Sequence, residues 1–283
     1  MRTIGVLTPY KHLPEFNTYL KGKFKIISMV DVPKDTLKIF KGIDYLFAAP
    51  NYLNYVLNND DIKGTNVKAI ITPSTGDNHI NVSIPVITIK NDSILEDISS
   101  TAEHNLYLCL ALPRYIGNIV ELKEKTLGIL GYGRLGKILE KLAKNIFKRV
   151  LKSDLTHTDE EFFTETDFLS INIDSNDSNL YFINKEYVCK MKKNPYIVNT
   201  SRGEVVNEDD IVSLIYDGKV LGYATDVIKE EHTSKYTVLK DNNDKRILIT
   251  PHIGGTAIEA QEKAYKRVIS KLYENNIRTL SKP

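Results

Sequence analysis

Residues 126–136 read TLGILGYGRLG, an apolar run that leads into three glycines with the spacing G-x-G-x-x-G. This spacing predicts a strand that turns sharply into a helix while a pyrophosphate lies against the backbone. Gly131 would make the turn, Gly133 would leave room for the phosphates, and Gly136 would let the helix pack on the strand. The first N–H groups of such a helix and the positive end of its dipole would then point at an anion.

Three glycines alone do not distinguish this site from an ordinary tight turn. Asp154 does, because it ends the next apolar run at the distance where a ribose-binding acid belongs. A carboxylate accepts a hydrogen bond from the ribose 2′-OH and repels a 2′-phosphate, so Asp154 favours NAD over NADP. Lys148, Arg149 and Lys152 lie nearby in the sequence and weaken that preference.

The composition of the whole chain bounds its partners. A length of 283 residues predicts about two domains. A net charge of +2 with 26% charged residues gives no reason to expect nucleic acid or a membrane as a partner.

Cys109 and Cys189 lie in apolar-patterned segments, which predicts buried thiols in a reducing compartment. The N-terminal residues reach Thr8-Pro9 too soon for a signal-peptide core, so we expect a cytoplasmic protein. The histidines and cysteines show no metal-ligand spacing, and we expect no metal.

Short apolar strands alternate with turns and helices over residues 1–98, and a long apolar helix follows from Ser99. His104 on this helix is interpreted as a structural hydrogen-bonding residue, and the closing segment is again helical. We predict an α/β protein with two domains: a doubly wound parallel-sheet NAD-binding domain at 99–255, inserted into a smaller flavodoxin-like substrate domain at 1–98 plus 256–283.

Three predicted strands of the second domain end in polar side chains. Arg202 follows one strand, Asp226 and Glu231 follow the next, and His252 follows the last. The carboxyl ends of strands in a doubly wound sheet face one crevice, so these groups can converge beside the nicotinamide end of a dinucleotide. Plainer alternatives stay open: Arg202 could form a surface turn, His252 could cap the final helix, and Glu231 could be exposed or replaced by Glu230.

With these residues in view, nearly the whole chain resembles the D-isomer-specific 2-hydroxyacid dehydrogenase family. Any one of the matching motifs would be ambiguous, whereas six in the same order are specific. In chain order they are residues 74–80 (STGDNHI), 101–104 (TAEH), 126–136 with Asp154, 199–203 (NTSRG), 224–227 (ATDV) with Glu231, and 250–255 (TPHIGG).

The resemblance implies an NAD-dependent enzyme that transfers a hydride between the cofactor and a small 2-oxo acid or D-2-hydroxy acid. It implies that Arg202 binds the substrate carboxylate and polarises the carbonyl, because a planar guanidinium suits a carboxylate. His252 would give and take the carbonyl proton, and Glu231 would hold the imidazole and favour its protonated form. The backbone amides of Thr75 and Gly76 would bind the substrate carboxylate, although the surrounding loop, residues 72–80, could equally be a simple turn.

Further cofactor contacts come from the same resemblance, with Asp226 placed for the nicotinamide carboxamide. Beside the three glycines and Asp154, they are Thr101, Arg134, Leu135, Thr200, Ser201 and Asp226. The resemblance also implies a homodimer, formed through the nucleotide domain. The competing hypothesis is an NAD(H)-sensing protein that keeps the fold and the cofactor but has little or no turnover.

The chain departs from the family pattern in three places. The segment between Asp154 and Phe168 is shorter than the family usually has, so the resemblance does not define the wall of the adenine pocket. His232 follows Glu231 where a proline is usual. Relatives that act on phosphorylated substrates carry a basic residue where this chain has Ala49-Pro50-Asn51-Tyr52, and this predicts a small, unphosphorylated 2-oxo acid.

Overall fold

A computed structural model describes residues 1–39, 41–53, 55–156, 159–231, 237–240 and 242–280 of the chain. His232, one of the departures noted above, lies outside the described residues. The chain divides into two compact units, Met1–Ile98 with Thr256–Pro283 and Ser99–Gly255. Each unit is built around its own parallel sheet.

The strands are β1 Thr3–Val6, β2 Lys25–Ser28, β3 Tyr45–Phe47, β4 Leu57–Asn58, β5 Ala69–Ile71, β6 Ile80–Asn81, β7 Val86–Ile87, β8 Thr126–Leu130, β9 Arg149–Ser153, β10 Phe168–Ile171, β11 Tyr196–Asn199, β12 Gly222–Thr225 and β13 Ile247–Ile249. The α-helices are α1 Pro14–Lys21, α2 Asn59–Ile62, α3 Ser100–Tyr115, α4 Arg134–Ala143, α5 Glu160–Glu165, α6 Lys185–Cys189, α7 Glu208–Tyr216 and α8 Ile258–Leu280.

The sheet of the first unit has the order β2-β1-β3-β5-β7, with every pair parallel. This is the flavodoxin-like order, in which the chain starts inside the sheet and reverses direction once. The short strands β4 and β6 pair with each other outside this sheet. The predicted flavodoxin-like unit is therefore confirmed.

The C-terminal helix α8 supplies part of the core of the first unit. Its residues Tyr265, Val268, Ile269 and Leu272 are buried at helical spacing and face the sheet. The Tyr265 ring packs edge-on against Phe16 of α1, with ring centroids 5.1 Å apart. One stripe of the last helix thus completes the layer that covers one side of this sheet.

Polar contacts fix the same helix to the first unit. Both carboxylate oxygens of Glu262 accept N–H groups at the start of α1, from Glu15 at 3.0 Å and from Phe16 at 2.7 Å. Further along α8, Nε of Arg267 lies 2.9 and 3.0 Å from the two carboxylate oxygens of Asp92. The hydrogen bond from Arg267 lowers the pKa of Asp92 below its usual value.

The second unit contains six parallel strands in the order β13-β12-β11-β10-β8-β9, so the predicted doubly wound parallel sheet is confirmed. Strands β8, β10, β11 and β12 are buried along their whole length, as expected for a parallel sheet covered by helices on both faces. The order lacks the further strand that lies beyond this position in a six-stranded dinucleotide fold of order 3-2-1-4-5-6. The shortened segment after Asp154 is where this strand is lost, because its described residues form the six-residue helix α5 and no strand before β10 begins.

The two cysteines differ in exposure. Cys109 is fully buried in α3, and burial raises the pKa of its thiol to about 12. Cys189 is exposed, so the prediction of two buried thiols was wrong for this residue. It is the last residue of the five-residue helix α6, which is too short to bury more than one side.

Within the described part of the chain, no helix combines the length and apolarity needed to cross a bilayer.

Replacing Ile269 by Ala is expected to lower the free energy of unfolding of the first unit by about 2–5 kcal/mol, because it removes buried methyl groups and leaves a cavity under α8. Urea denaturation followed by circular dichroism measures the change. Ile258→Ala, at the exposed start of the same helix, serves as the matched control. Equal stability of Ile269→Ala and the control would contradict the assignment of α8 to this core.

Candidate active site

The glycine loop joins β8 to α4 in a conformation that explains each glycine. Gly131 has φ of +95°, and a Cβ atom there would lie 2.7 Å from the carbonyl carbon of Asn172. A Cβ atom on Gly136 would overlap the carbonyl oxygen of Gly131. At Gly133, by contrast, no described residue outside its chain neighbours lies within 4 Å of the Cβ position. The first and third glycines are required by packing, whereas the second opens onto space that a ligand can approach.

Helix α4 begins directly after this loop. Gly133 is its N-cap residue, and no side chain caps the helix. A helix N-terminus without a side-chain cap presents backbone donors and a positive dipole end to an anion. The loop therefore fits the pyrophosphate of a dinucleotide, and Arg134 and Leu135, two predicted cofactor contacts, lie in the first turn of the helix.

Asp154 follows β9 and lies beside the same loop. Its Oδ1 accepts the backbone N–H of Tyr132 at 2.8 Å, which holds the carboxylate next to the glycine turn. The side chain is otherwise exposed. This is the position that a ribose-binding acid requires.

Two of the three cations near Asp154 are paired with acids. Nζ of Lys152 lies 3.0 Å from Oε1 of Glu140 on α4, and the hydroxyl of Tyr132 also donates to that carboxylate. Arg149 lies 2.6 Å from Glu161. Both partners shield the positive charges that the sequence places next to Asp154.

His252 and Glu231 form the closest contact among the predicted catalytic residues. Nδ1 of His252 lies 2.9 Å from each carboxylate oxygen of Glu231, and both side chains are mostly buried. Glu231 is therefore not a fully exposed side chain, and His252 does more than cap the last helix. The neighbouring Glu230 has φ of +55°, which reverses the chain before Glu231.

The turn that carries His252 is held by Asp226, which is 2% exposed. Oδ1 of Asp226 accepts the Ile253 N–H at 2.9 Å and the Thr250 hydroxyl at 2.5 Å, and Oδ2 accepts the Gly254 N–H at 2.7 Å. His252 itself has φ of +53°, a left-handed conformation that non-glycine residues rarely adopt. The buried carboxylate thus supports a backbone shape that is unfavourable on its own.

His104 of α3 adds to this network. Its Nε2 lies 3.0 Å from the Thr250 hydroxyl and 3.2 Å from Oδ1 of Asp226, so the predicted structural hydrogen-bonding role is confirmed. Burial alone would raise the pKa of Asp226, but the hydrogen bonds from His104, Thr250 and the backbone outweigh it and lower the pKa below its usual value. The group is therefore ionised at neutral pH. Both of its oxygens already accept hydrogen bonds within the second unit, a role that the sequence did not reveal.

Arg202 lies at the end of β11, between the glycine loop and the His252 turn in the order of the sheet. Its Nη1 donates to the carbonyl of Ser201 at 2.7 Å, and its own carbonyl accepts Nδ2 of Asn199 at 3.0 Å. No hydrogen bond joins it to the His252–Glu231 pair among the described residues. The next residue, Gly203, packs so tightly on the peptide after Ile228 that a Cβ atom would overlap it.

The remaining predicted contacts of the second unit lie near these groups. The Thr200 hydroxyl accepts Nδ2 of the buried Asn105 at 2.9 Å, and the Ser201 N–H donates to Oδ1 of Asn199 at 3.0 Å. Thr101 lies in the first turn of α3. Asn105 had no recognisable signal in the sequence, because a single amide in an apolar helix looks like any partly exposed residue.

Thr75 and Gly76 lie in the first unit, in the loop after β5. The hydroxyl of Ser74 donates to the carbonyl of Gly76 at 2.5 Å and lies 2.9 Å from the hydroxyl of Thr72. Nε2 of the buried His79 lies 3.1 Å from the same Thr72 hydroxyl. These hydrogen bonds hold the loop in place, while Thr75 is exposed to solvent.

In the described chain, no group of three or more His, Cys, Asp or Glu residues could hold a metal ion.

The chain is similar in sequence to known proteins. Residues 113–254 match the model of the D-isomer specific 2-hydroxyacid dehydrogenase NAD binding domain. The hydroxypyruvate reductase of Thermotoga maritima is 28% identical over 243 residues, which is 75% of this chain and 78% of that protein. The glyoxylate reductase of Thermococcus litoralis is 31% identical over 164 residues, about half of each chain (53% and 49%).

Solved structures show the same fold. The apo-structure of D-lactate dehydrogenase from Escherichia coli has a TM-score of 0.78 at 19% identity and covers 98% of this chain and 97% of its own. The Aquifex aeolicus D-lactate dehydrogenase complexed with NAD and lactic acid has a TM-score of 0.72 at 22% identity and covers 98% and 97%.

The chain belongs to the D-isomer-specific 2-hydroxyacid dehydrogenase family. It is accordingly an oxidoreductase that uses NAD, an NAD-dependent D-2-hydroxyacid dehydrogenase.

Proposed function

We propose that this enzyme interconverts a small, unphosphorylated 2-oxo acid and its D-2-hydroxy acid, with His252 as acid and base, Glu231 as its partner and Arg202 as the group that binds the substrate carboxylate. The observation that carries the proposal is the contact between Nδ1 of His252 and both carboxylate oxygens of Glu231 at 2.9 Å. The two residues follow β12 and β13, which are neighbours in the sheet.

The cofactor supplies or accepts the hydride when it is bound. The loop 131–136, Asp154 and the first turn of α3 at Thr101 would hold it, together with the segment Thr200–Ser201. Asp226 would support these groups indirectly, because its carboxylate already accepts hydrogen bonds from the His252 turn.

The Glu231–His252 contact determines which ring nitrogen of the histidine is available for the reaction. Because Nδ1 faces the carboxylate, the proton that moves is carried by Nε2. His252 gives this proton to the substrate carbonyl oxygen during reduction and takes it back during oxidation. The contact with both oxygens of Glu231 also holds the imidazole ring in one orientation.

Arg202 and the segment Ala49–Tyr52 support the proposed substrate class. A guanidinium can bind a carboxylate through two parallel hydrogen bonds, and the bonds of Asn199 hold the turn that carries it. Ala49 is buried, and Pro50–Tyr52 forms a short 3₁₀ turn without a basic side chain for a phosphate. The names of relatives such as hydroxypyruvate reductase and glyoxylate reductase describe substrates of this small size.

A homodimer formed through the second unit is the assembly that we propose. Helix α3 buries Leu108, Cys109 and Leu112 on one side. The opposite side and the residues after the helix expose large apolar side chains, from 43% at Leu110 to 75% at Ile119. An apolar row of this kind is typical of a surface that another subunit covers. The cytoplasmic location stays a prediction from the sequence.

Replacing His252 by Ala is expected to lower kcat by about 10²–10⁴-fold, because the proton donor is lost, while the NADH affinity changes little. NADH absorbance during reduction of glyoxylate, hydroxypyruvate and pyruvate measures turnover, and NADH fluorescence measures binding. Glu231→Gln should also lower kcat, whereas Glu230→Gln is the matched control. Undiminished turnover in His252→Ala would refute the assignment, and a wild-type protein that binds NADH but reduces none of the three acids would favour the NAD(H)-sensing alternative.

The role of Asp154 predicts that the protein binds NADH more tightly than NADPH. Asp154→Asn should reduce the ratio of the two affinities by about 10–100-fold. The substitution removes a charged hydrogen bond to the ribose of NADH and the repulsion between the carboxylate and the 2′-phosphate of NADPH. Fluorescence titration with each nucleotide gives the two dissociation constants. Glu186→Gln, which removes a charge from an exposed ion pair on α6, should leave their ratio unchanged. Equal affinities of the wild-type protein for NADH and NADPH would remove the assignment.

The proposed interface predicts that the wild-type protein sediments as a dimer and that Leu110→Asp shifts it to a monomer, because a charge would be buried without a partner. Analytical ultracentrifugation measures both masses. Leu180→Asp, at an exposed apolar residue elsewhere in the second unit, is the control and should stay dimeric. A monomeric wild-type protein would exclude this interface.

A further inference from the structure

Glu208, the first residue of α7, is a buried acid to which neither the family resemblance nor the proposed chemistry gives a role. Glu208 is 3% exposed, and its side chain forms no ion pair with the described residues. Burying a carboxyl group is unfavourable unless hydrogen bonds compensate for lost water. The hydrogen bonds of the Glu208 carboxyl group therefore indicate its structural role.

One carboxylate oxygen has a definite partner. Oε1 of Glu208 accepts the backbone N–H of Lys229 at 2.6 Å. The other oxygen, Oε2, and the buried hydroxyl of Thr237 make no hydrogen bond of normal geometry in the described chain, although Thr237 is close enough to lower the pKa of the acid. The hydrogen bond from the Lys229 N–H is thus the one hydrogen bond of normal geometry that this side chain forms with the described residues.

Lys229 lies two residues before Glu231, in the segment that follows β12. The peptide between Ile228 and Lys229 rests on Gly203, where a side chain would overlap it. Glu230 then turns the chain with φ of +55°, and Glu231 meets His252. The backbone that presents Glu231 is therefore supported by Gly203 from one side and by Glu208 through a hydrogen bond, and Nζ of Lys240 donates to the Glu230 carbonyl at 2.8 Å.

We propose that Glu208 is a positioning residue for the acid–base pair: its carboxyl group holds the Lys229 N–H so that Glu231 reaches Nδ1 of His252. The proposal rests on the function proposed for Glu231 and His252. Glu208 contacts the loop and not the substrate, so its effect on the reaction is transmitted through Glu231.

The charge state of Glu208 suits this role. Burial raises its pKa to about 7, opposed by the bond from Lys229, the contact with Thr237 and the charge of Lys229, while Asp209 raises it further. A pKa of about 7 leaves both the neutral and the ionised form populated at neutral pH, and either form accepts the Lys229 N–H through Oε1. Glutamine has an oxygen and an N–H group of the same reach, so it should substitute for the acid, whereas the shorter aspartate should not.

The test compares Glu208→Gln, Glu208→Asp and Asp209→Asn, the last being a matched control at an exposed neighbour in the same turn. We expect kcat to fall by about 10-fold or more in Glu208→Asp and to stay within about 3-fold of wild type in the other two, with an unchanged dissociation constant for NADH. Circular dichroism and thermal unfolding check that each variant is folded.

A double-mutant comparison identifies the route of the effect. If Glu208 acts through Glu231, then Glu208→Asp should lower kcat little further in a Glu231→Gln background. Additive losses, or equal losses in Glu208→Gln and Glu208→Asp, would overturn the proposal. Loss of activity in Glu231→Gln alone, with none in Glu208→Asp, would overturn it while leaving the proposed function intact. Wild-type turnover in Glu231→Gln would instead overturn the proposed function.

Discussion

The buried carboxylate of Asp226 is the interaction on which the candidate active site depends. It accepts the N–H groups of Ile253 and Gly254, and it does so from the end of the neighbouring strand. These bonds cross from β12 to the turn after β13 and compensate for the left-handed backbone of His252. A neutral residue at this position would leave buried donors without acceptors and would free the turn to relax.

The acid–base pair is assembled from segments that are each held by a different neighbour. Asp226 holds the His252 turn, Gly203 and Glu208 hold the segment before Glu231, and Asn199 holds the turn of Arg202. Asn199 and Asp226 stand at the ends of β11 and β12 in one parallel sheet, Gly203 follows β11, and Glu208 begins the helix α7. A parallel sheet collects the carboxyl ends of its strands at one edge, which lets residues distant in the sequence share a site.

The sequence predicted the fold because it follows from patterns of short range, whereas the contact between Glu231 and His252, 21 residues apart, was implied by the family resemblance. The glycine spacing, the apolar strands and the acids at strand ends are visible without knowing what packs against them. Strands β4 and β6 and the helix α5 were not predicted, because elements of two to six residues show too little periodicity. Glu208 was also missed, since an acid after the cap Asn207 looks like an ordinary first-turn residue until its burial is known. The roles of Arg202, Thr75 and Gly76 depend on the substrate, which the chain alone does not contain.

The missing strand beyond β9 has a consequence for how the molecule avoids unwanted self-association. In the described chain β9 ends the sheet of the second unit, so one side of its backbone has no neighbouring strand. Such an edge is a template on which a strand of another molecule can add, and natural proteins often block it with long charged side chains. Arg149 and Lys152 stand on this strand, each tied to an acid of a flanking helix. The shortened segment thus makes β9 the edge strand, and its two ion-paired side chains are of the kind that discourages strand addition.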